Sequence, residues 1–247
     1  PKLLSEKMIV TQGFIGGTSE NFTTTLGREG SDYSAAIFAA CLNATSVTIW
    51  KDVDGVLNAD PKLFPHTEKF ERLPYAEALE MTYYGATVIH PKTIKPLQNK
   101  LIPLFVKPFL DHIGTGTHIG QFEKMTYSIP TIIVKKEQVL MSISSRDFSF
   151  ISEQNLSTIL GHFAKANIKI NTMQNSAMTW TCCFDYHEEK LNQIIAVLKP
   201  DFKVYYNESL SLVTLRHYNQ ASIDEITQNK KVLIEQRSRN TVQLVLR

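Results

Sequence analysis

The stretch that decides the fold of the first half is Thr23 to Ala35, which reads Thr-Thr-Thr-Leu-Gly-Arg-Glu-Gly-Ser-Asp-Tyr-Ser-Ala. After it, apolar residues recur at spacings of three and four, which predicts a helix. Ser31 is the expected N-cap, with Asp32 in the first turn. We therefore expect a loop that leads into a helix N-terminus, where free backbone N–H groups and the helix dipole favour an anion.

Arg28, within this loop, would add a planar set of donors that suits a carboxylate or a phosphate. The alternative is an ordinary capped surface turn with a solvated arginine. The local pattern does not choose between the two, because short glycine motifs have many false positives.

Strands are predicted on both sides of this segment. Lys7 to Val10 begins an apolar strand that leads to a glycine turn at Gly16-Gly17, and residues 46–50 form a strand that ends in the polar loop from Lys51 to Gly55. The β-α-β order indicates a parallel sheet with right-handed crossovers. Since such sheets bind ligands outside the carboxyl ends of their strands, the two strand ends and the helix N-terminus are expected to meet at one crevice.

Two helices and one short strand are predicted between this crevice and a domain boundary near residue 121. They are a helix from Leu73 to Tyr84 that begins at Pro74 and is closed by Gly85, a helix that opens at Pro91, and an edge strand at residues 103–107, followed by a flexible loop at residues 114–117.

The second half alternates strand-like and helical patterns. The strands are predicted at residues 131–134, 139–144, 168–173, 180–184 and 202–206, and the helices at 151–166 and 188–198. From residue 139 this order is β-α-β-β-α-β, a ferredoxin-like unit. A partial second copy, β-α-β-β, follows from residue 210 to 246. The copy lacks a strand, and the orphan strand Thr131 to Val134 is the candidate to supply it.

The composition is that of a globular protein, with 43% hydrophobic residues and a net charge of +2 in 247 residues. This charge gives no reason to expect nucleic acid or a membrane as a partner. The three cysteines have no metal-ligand spacing, and the adjacent Cys182 and Cys183 would point to opposite faces of a strand. Free thiols favour a reducing, cytoplasmic compartment. The chain begins with Pro1, so the absence of a signal peptide carries little weight.

Several motifs, in this order, closely resemble those of the aspartate kinases: Val10 to Gly16, Thr24 to Ala35, Trp50 to Gly55, Asp60-Pro61 and His90-Pro91. The resemblance covers nearly the whole chain. It implies an α/β fold, with a partial amino-acid-kinase (carbamate-kinase-like) sheet and helices, followed by two ferredoxin-like βαββαβ ACT units. The implied domains are residues 1–121 for the C-terminal portion of the catalytic domain, 138–206 for the first ACT domain, and 126–137 with 207–247 for the second.

The activity implied by the resemblance is transfer of the ATP γ-phosphoryl group to the β-carboxylate of L-aspartate, the first step of lysine, threonine and methionine biosynthesis. The substrate is the nucleophile, so no catalytic side chain is expected, and Mg²⁺, basic side chains and helix N-termini would position the groups and neutralise charge. The family's N-terminal Lys-Phe-Gly-Gly-Thr segment is not among these residues, so the chain alone is expected to be inactive. The alternatives are a kinase for another carboxylate or carbamate, and a non-catalytic amino-acid sensor.

The resemblance also assigns site residues. Those expected to bind the substrate are Phe14, Arg28, Gly30 and Ser31. Those expected to bind the nucleotide are Lys51, Asp52, Leu57, Lys62, Thr87 and Val88. Those expected to bind an effector, lysine or threonine, at an ACT interface between the subunits of a homodimer are Met141, Ser144, Ile170, Asn171 and Ser176. Because Asn171 and Ala177 stand where lysine-binding members often carry acids, lysine sensing is in question.

Overall fold

The computed structural model describes residues 8–122, 129–147 and 149–247. The chain divides into two compact units, with the boundary between Ser128 and Ile129. Within the described residues, no helix is long and apolar enough to cross a membrane.

In its described residues, the first unit contains a two-stranded hairpin, a four-stranded sheet and three helices. Its elements are β1 (Ile15–Gly17), β2 (Thr23–Thr25), α1 (Gly30–Leu42), β3 (Val47–Lys51), β4 (Arg72–Pro74), α2 (Tyr75–Tyr84), α3 (Pro91–Lys100), β5 (Leu104–Pro108) and β6 (Thr117–Gly120). The strand order of the sheet is β3-β5-β6-β4.

This sheet is mixed, whereas the sequence predicts a parallel one. β3 pairs with β5 in parallel, as expected, but β6 runs antiparallel to β5. The predicted edge strand, β5, is therefore central, and its Leu104 and Val106 are fully buried. The loop predicted at residues 114–117 ends in β6, which the sequence analysis missed.

The strand predicted from Lys7 to Val10 is wrong for the residues that are described; Lys7 lies outside them. Residues 8–13 pair with no other described strand, and the side chains of Met8 and Val10 are 94% and 91% exposed. Strand geometry needs a hydrogen-bonded neighbour, and these residues have none in the described part of the chain. Gly16 and Gly17 lie in β1, which pairs antiparallel with β2, and not in a turn after a strand.

The two predicted helices of this unit are confirmed. α2 begins directly after Pro74 and ends at Gly85, whose φ of 118° suits a residue without a side chain. α3 begins at Pro91, and His90 caps it by accepting a hydrogen bond on Nδ1 from the Lys92 N–H.

The second unit is one six-stranded antiparallel sheet with three described helices. Its elements are β7 (Thr131–Ser145), α4 (Glu153–Lys165), β8 (Ile170–Asn175), β9 (Thr179–Asp185), α5 (Glu188–Leu198), β10 (Phe202–Arg216), α6 (Gln220–Thr227), β11 (Val232–Arg237) and β12 (Thr241–Leu246). The strand order is β11-β12-β10-β7-β9-β8.

Two ferredoxin-like repeats share the long strands β7 and β10 of this sheet. The order β10-β7-β9-β8 completes the first repeat, and β7-β10-β12-β11 completes the second. The orphan strand is confirmed in its predicted role, since Thr131 to Val134 pairs with Arg216 to Val213. The sequence analysis predicts two separate strands where β7 lies and two where β10 lies. Each pair is in fact one continuous strand, and the pairing of β7 with β10 passes through a bulge near residues 207–212 of β10.

The two faces of the shared sheet carry different cores. Cys182 packs with Met141 and Ile143 in the core that also contains Phe163 of α4 and Ile194 of α5. On the opposite face, a smaller core contains Leu140, Cys183, Leu210, Leu212 and Val245. The predicted opposite orientations of the two cysteines are thus confirmed.

The outermost strands of this sheet approach each other. The Thr172 hydroxyl of β8 donates a hydrogen bond of 2.6 Å to Gln236 Oε1 of β11. Because these strands are the two edges of the sheet, the sheet must curve strongly around the smaller core.

Candidate active site

The loop before α1 forms the predicted helix N-terminus, with one difference in its capping. Glu29 is the N-cap, in the left-handed conformation with φ 56°, and its side chain makes no capping bond. Ser31, the predicted N-cap, lies inside the first turn because the helix already begins at Gly30. Gly27, with φ 76°, accepts the Gly30 N–H at 3.0 Å and so closes the turn one residue early.

Phe14 is packed tightly against this helix start. A Cβ on Gly30 would lie 2.8 Å from Phe14 Cδ2 and 2.9 Å from Leu26 Cβ, so only glycine fits without a shift. The Phe14 N–H donates to Ser34 Oγ at 2.9 Å, and Ser34 Oγ donates to Gly30 O at 2.9 Å. These contacts fix Phe14 beside Gly30, so two of the predicted substrate residues lie together.

An ion pair joins the helix start to the end of β3. Lys51 Nζ lies 2.7 Å from Asp32 Oδ2, and the two side chains are only 22% and 15% exposed. A third segment meets them, since a Cβ on Gly13 would lie 3.3 Å from Ser31 Cα. The Gly13 segment, the α1 N-terminus and the end of β3 therefore meet, although the Gly13 segment is not the end of a strand as the sequence predicts.

Arg28 is exposed beside this junction. Across residues 8–122, 129–147 and 149–247, its guanidinium has no hydrogen bond or ion pair with another side chain or backbone group. Its donors therefore remain available to a ligand near the α1 N-terminus.

Two clefts open at the carboxyl ends of β3 and β5. One, of about 600 Å³, has Asp52, Leu57, Lys69 and Asp111 among its lining residues. The other, of about 540 Å³, is more apolar and includes Trp50, Lys51, Phe109 and Leu110. Both include Asp52, Asp54, Pro108 and Asp111, so they are parts of one groove.

The groove wall is held by a buried threonine. Thr117 Oγ1 accepts the Val56 N–H at 2.8 Å and donates to Phe70 O at 2.6 Å. Gly55 passes so close that a Cβ would lie 2.5 Å from the same oxygen, and its φ is 147°. These contacts anchor the loop that carries Asp52 and Leu57.

The other residues predicted to bind the nucleotide do not line the groove. Lys62 follows the groove residue Pro61, and its backbone N–H donates to Asp60 Oδ1 at 2.9 Å. Thr87 and Val88 lie between α2 and α3, and neither lines the two clefts.

Phe109, Leu110 and Asp111 were missed by the sequence analysis. They follow β5, which is the parallel neighbour of β3. Ligands bind at the carboxyl ends of parallel strands, so these residues would have been predicted if the pairing of β3 with β5 had been known. No feature of the sequence predicts that Lys69 lines the groove.

The groove carboxylates do not form a metal site by themselves. Over the described ranges, no three His, Cys, Asp or Glu side chains converge as metal ligands. Asp52, Asp54 and Asp111 therefore do not fit a magnesium site built from protein groups alone.

The predicted effector residues are dispersed in the second unit. Met141 is fully buried in the core beneath α4 and α5, so its side chain is directed away from the opposite face. Ser176 closes the β8–β9 hairpin by donating from Oγ to Thr179 O at 3.0 Å. Ser144 and Ile170 are half-buried strand residues.

Asn171 is the centre of a polar network. Its Nδ2 donates to Gln138 Oε1 at 2.8 Å and to Asp185 Oδ1 at 2.9 Å, while its Oδ1 accepts from Lys135 Nζ at 2.8 Å. Burial would raise the pKa of Asp185, but hydrogen bonds from Gln138 and Asn171 and the nearby lysines hold that pKa below its ordinary value.

Comparison with known proteins agrees with this architecture. Residues 1–108 match the amino acid kinase family. The chain is 34% identical over 182 residues to lysine-sensitive aspartokinase 3 of Escherichia coli, covering 74% of this chain and 40% of that protein. It is 46% identical over 113 residues to a bifunctional aspartokinase/homoserine dehydrogenase of Zea mays, covering 46% of this chain and 12% of that protein.

The solved structures extend the likeness to the second unit. E. coli aspartokinase III in complex with aspartate and ADP matches with a TM-score of 0.81 and 27% identity, over 99% of this chain and 58% of that one. The same enzyme with lysine and aspartate matches with a TM-score of 0.76 and 27% identity, over 99% and 57%. The chain is thus similar to aspartokinases over nearly its whole length, including the second unit. It spans 40% or less of the length of the two curated relatives named.

Proposed function

We propose that the protein to which this chain belongs is an aspartate kinase, which transfers the ATP γ-phosphoryl group to the β-carboxylate of L-aspartate to give 4-phospho-L-aspartate. The observation that carries the proposal is the Asp32–Lys51 pair, because it joins the anion-favouring helix start to the groove at the ends of β3 and β5. A substrate carboxylate and a nucleotide would then lie within reach of each other.

The substrate side of this site is the α1 N-terminus. Among the described residues, the Arg28 guanidinium has no hydrogen-bond or ion-pair partner, and the first backbone N–H groups of an α-helix lack helical acceptors. A dicarboxylic amino acid would place one carboxylate against the guanidinium, with Phe14 as an apolar wall. The related E. coli enzyme was crystallised with aspartate, which supports this substrate class.

The nucleotide side is the groove lined by Asp52 and Leu57. Its more apolar part, with Trp50 and Phe109, suits a planar base, and Lys51 and Lys69 suit phosphates. The related enzyme was crystallised with ADP. Magnesium would require nucleotide phosphates among its ligands, because the described carboxylates do not converge.

The second unit is proposed to bind an amino-acid effector and to form a homodimer contact. A related structure contains lysine, which supports an amino acid as the effector class. The network around Asn171 is the described feature with suitable polar groups.

The test is Arg28→Ala in the full-length parent enzyme. Loss of a bidentate, charge-assisted contact should weaken aspartate binding by about 2–5 kcal/mol. We expect a large rise in KM for aspartate, with KM for ATP nearly unchanged, in a coupled assay of ADP release. Arg239→Ala, which removes an exposed arginine from the β11–β12 turn, is the matched control. Unchanged aspartate kinetics in Arg28→Ala would refute the assignment.

A further inference from the structure

We propose that Asn171, Gln138 and Asp185 form a binding site for a primary ammonium group, and that the side chain of Lys135 is the resident ligand of this site. The site lies where β7, β9 and β8 run side by side. Its occupation by a residue of the same chain would exclude the terminal ammonium of a cationic amino acid. The inference takes its ligand class, an amino acid, from the proposed function.

One hydrogen bond places the Lys135 ammonium at this network. Lys135 Nζ donates to Asn171 Oδ1 at 2.8 Å. Asn171 Nδ2 in turn donates to Gln138 Oε1 and Asp185 Oδ1, which fixes the amide with its oxygen towards Lys135. An ammonium group has only donors, so it needs an acceptor held in this orientation.

Gln138 makes the site rigid. Its side chain is 1% exposed, and its Nε2 donates to Asp185 Oδ1 at 2.8 Å and to Lys136 O at 3.0 Å. The same carboxylate oxygen therefore accepts from both amides, and each amide has a defined orientation. A network that is anchored by a buried amide, with its partners satisfied, is a preformed site.

Charge favours a cation at this position. Burial of the Lys135 amine lowers its pKa, and the charge of Asp185 opposes this shift because it favours the protonated lysine. Asp185 is exposed at the rim, so the site opens to solvent once the lysine side chain is removed.

Occupation of the site by Lys135 limits which amino acids can act as an effector there. With Lys135 in place, a ligand such as free lysine would have to displace a tethered ammonium that needs no translational entropy to bind. The chain should therefore be insensitive to lysine at this site. Removal of the side chain beyond Cβ should create a vacancy that fits an alkylammonium ion.

Chemical rescue tests the proposal on the full chain. Lys135→Ala should lower Tm by about 3–6 °C, because a charge-assisted hydrogen bond is lost. Addition of n-butylammonium or lysine should restore part of this Tm, whereas n-butanol, which has no ammonium group, should not. The wild-type chain should respond to none of the three. Failure of n-butylammonium to raise the Tm of Lys135→Ala above the n-butanol value, or an equal response of the wild type, would overturn the proposal.

A second pair of variants covers the case in which Lys135→Ala does not fold. Asn171→Asp should lower Tm less in the wild-type background than in the Lys135→Met background, because the Lys135 ammonium offsets the repulsion between the new carboxylate and Asp185. Equal losses of Tm in the two backgrounds would show that Lys135 does not occupy the site. Neither readout depends on kinase activity, so failure here is distinguishable from failure of the proposed function.

Discussion

Asp32 and Lys51 form an ion pair of 2.7 Å that joins the first turn of α1 to the last residue of β3. These residues are 19 positions apart, and their pairing brings two of the quoted motifs, Thr24 to Ala35 and Trp50 to Gly55, into contact. Lys51 also lines the groove, so Asp32 can both orient the Lys51 side chain and neutralise its charge.

Breaking this pair should affect both folding and the nucleotide. Asp32→Asn leaves the partly buried Lys51 without its carboxylate and should lower the free energy of unfolding by about 1–3 kcal/mol in urea titrations of the chain. In the full-length parent, Lys51→Met should raise KM for ATP more than KM for aspartate.

The matched control is the exposed Glu235–Arg237 pair on β11. Glu235→Gln should change stability by less than about 1 kcal/mol, because exposed ion pairs contribute little. An equally small effect of Asp32→Asn would contradict a structural role for the Asp32–Lys51 pair.

Gly30→Ala should destabilise the chain by about 1–3 kcal/mol, since the new methyl group would press on Phe14 and Leu26. Thermal unfolding measures the change. Gly161→Ala in α4 is the control with the opposite sign: apart from its own stretch of helix, no described atom lies within 4 Å of the new Cβ, so helix propensity should stabilise the variant by about 0.5–1 kcal/mol. A neutral Gly30→Ala would mean that Phe14 is not fixed against the helix start.

Thr117→Val keeps the side-chain shape but removes a buried acceptor and donor. The Val56 N–H and Phe70 O would lose their partner, and stability should fall by about 2–4 kcal/mol in urea titrations. Thr115→Val, two residues earlier and exposed, should stay within about 0.5 kcal/mol of wild type. If both variants behaved alike, Thr117 would not be the anchor of the groove loop.

Asp185 should contribute stability that depends on pH. Its pKa is held below the ordinary value, so its contribution is present above the unfolded-state pKa and is lost as the pH falls through the folded-state pKa. The groups that face it are Gln138, Asn171, Lys135 and Lys169. The difference in unfolding free energy between wild type and Asp185→Asn should therefore shrink on acidification below about pH 4. A difference that stays constant with pH would exclude this linkage.

The sequence predicted the local elements well because their signals are local. Pro74 and Gly85 bound α2, and His90-Pro91 opens α3, through backbone preferences that act within a few residues. The sequence also predicted the repeated ferredoxin-like order, and that the orphan strand Thr131 to Val134 completes the second repeat. Ser31 failed as an N-cap because positive φ angles at Gly27 and Glu29 start the helix earlier.

By itself, the sequence determined the order of helices and strands, the repeated ferredoxin-like pattern and the anion-favouring helix start. Only the tertiary structure decided that β6 runs antiparallel to β5, that Phe109 and Asp111 join the groove, and that Lys135 reaches Asn171 from 36 residues away. The reason is that capping and periodicity depend on neighbouring residues, whereas strand direction and register follow from packing between distant segments.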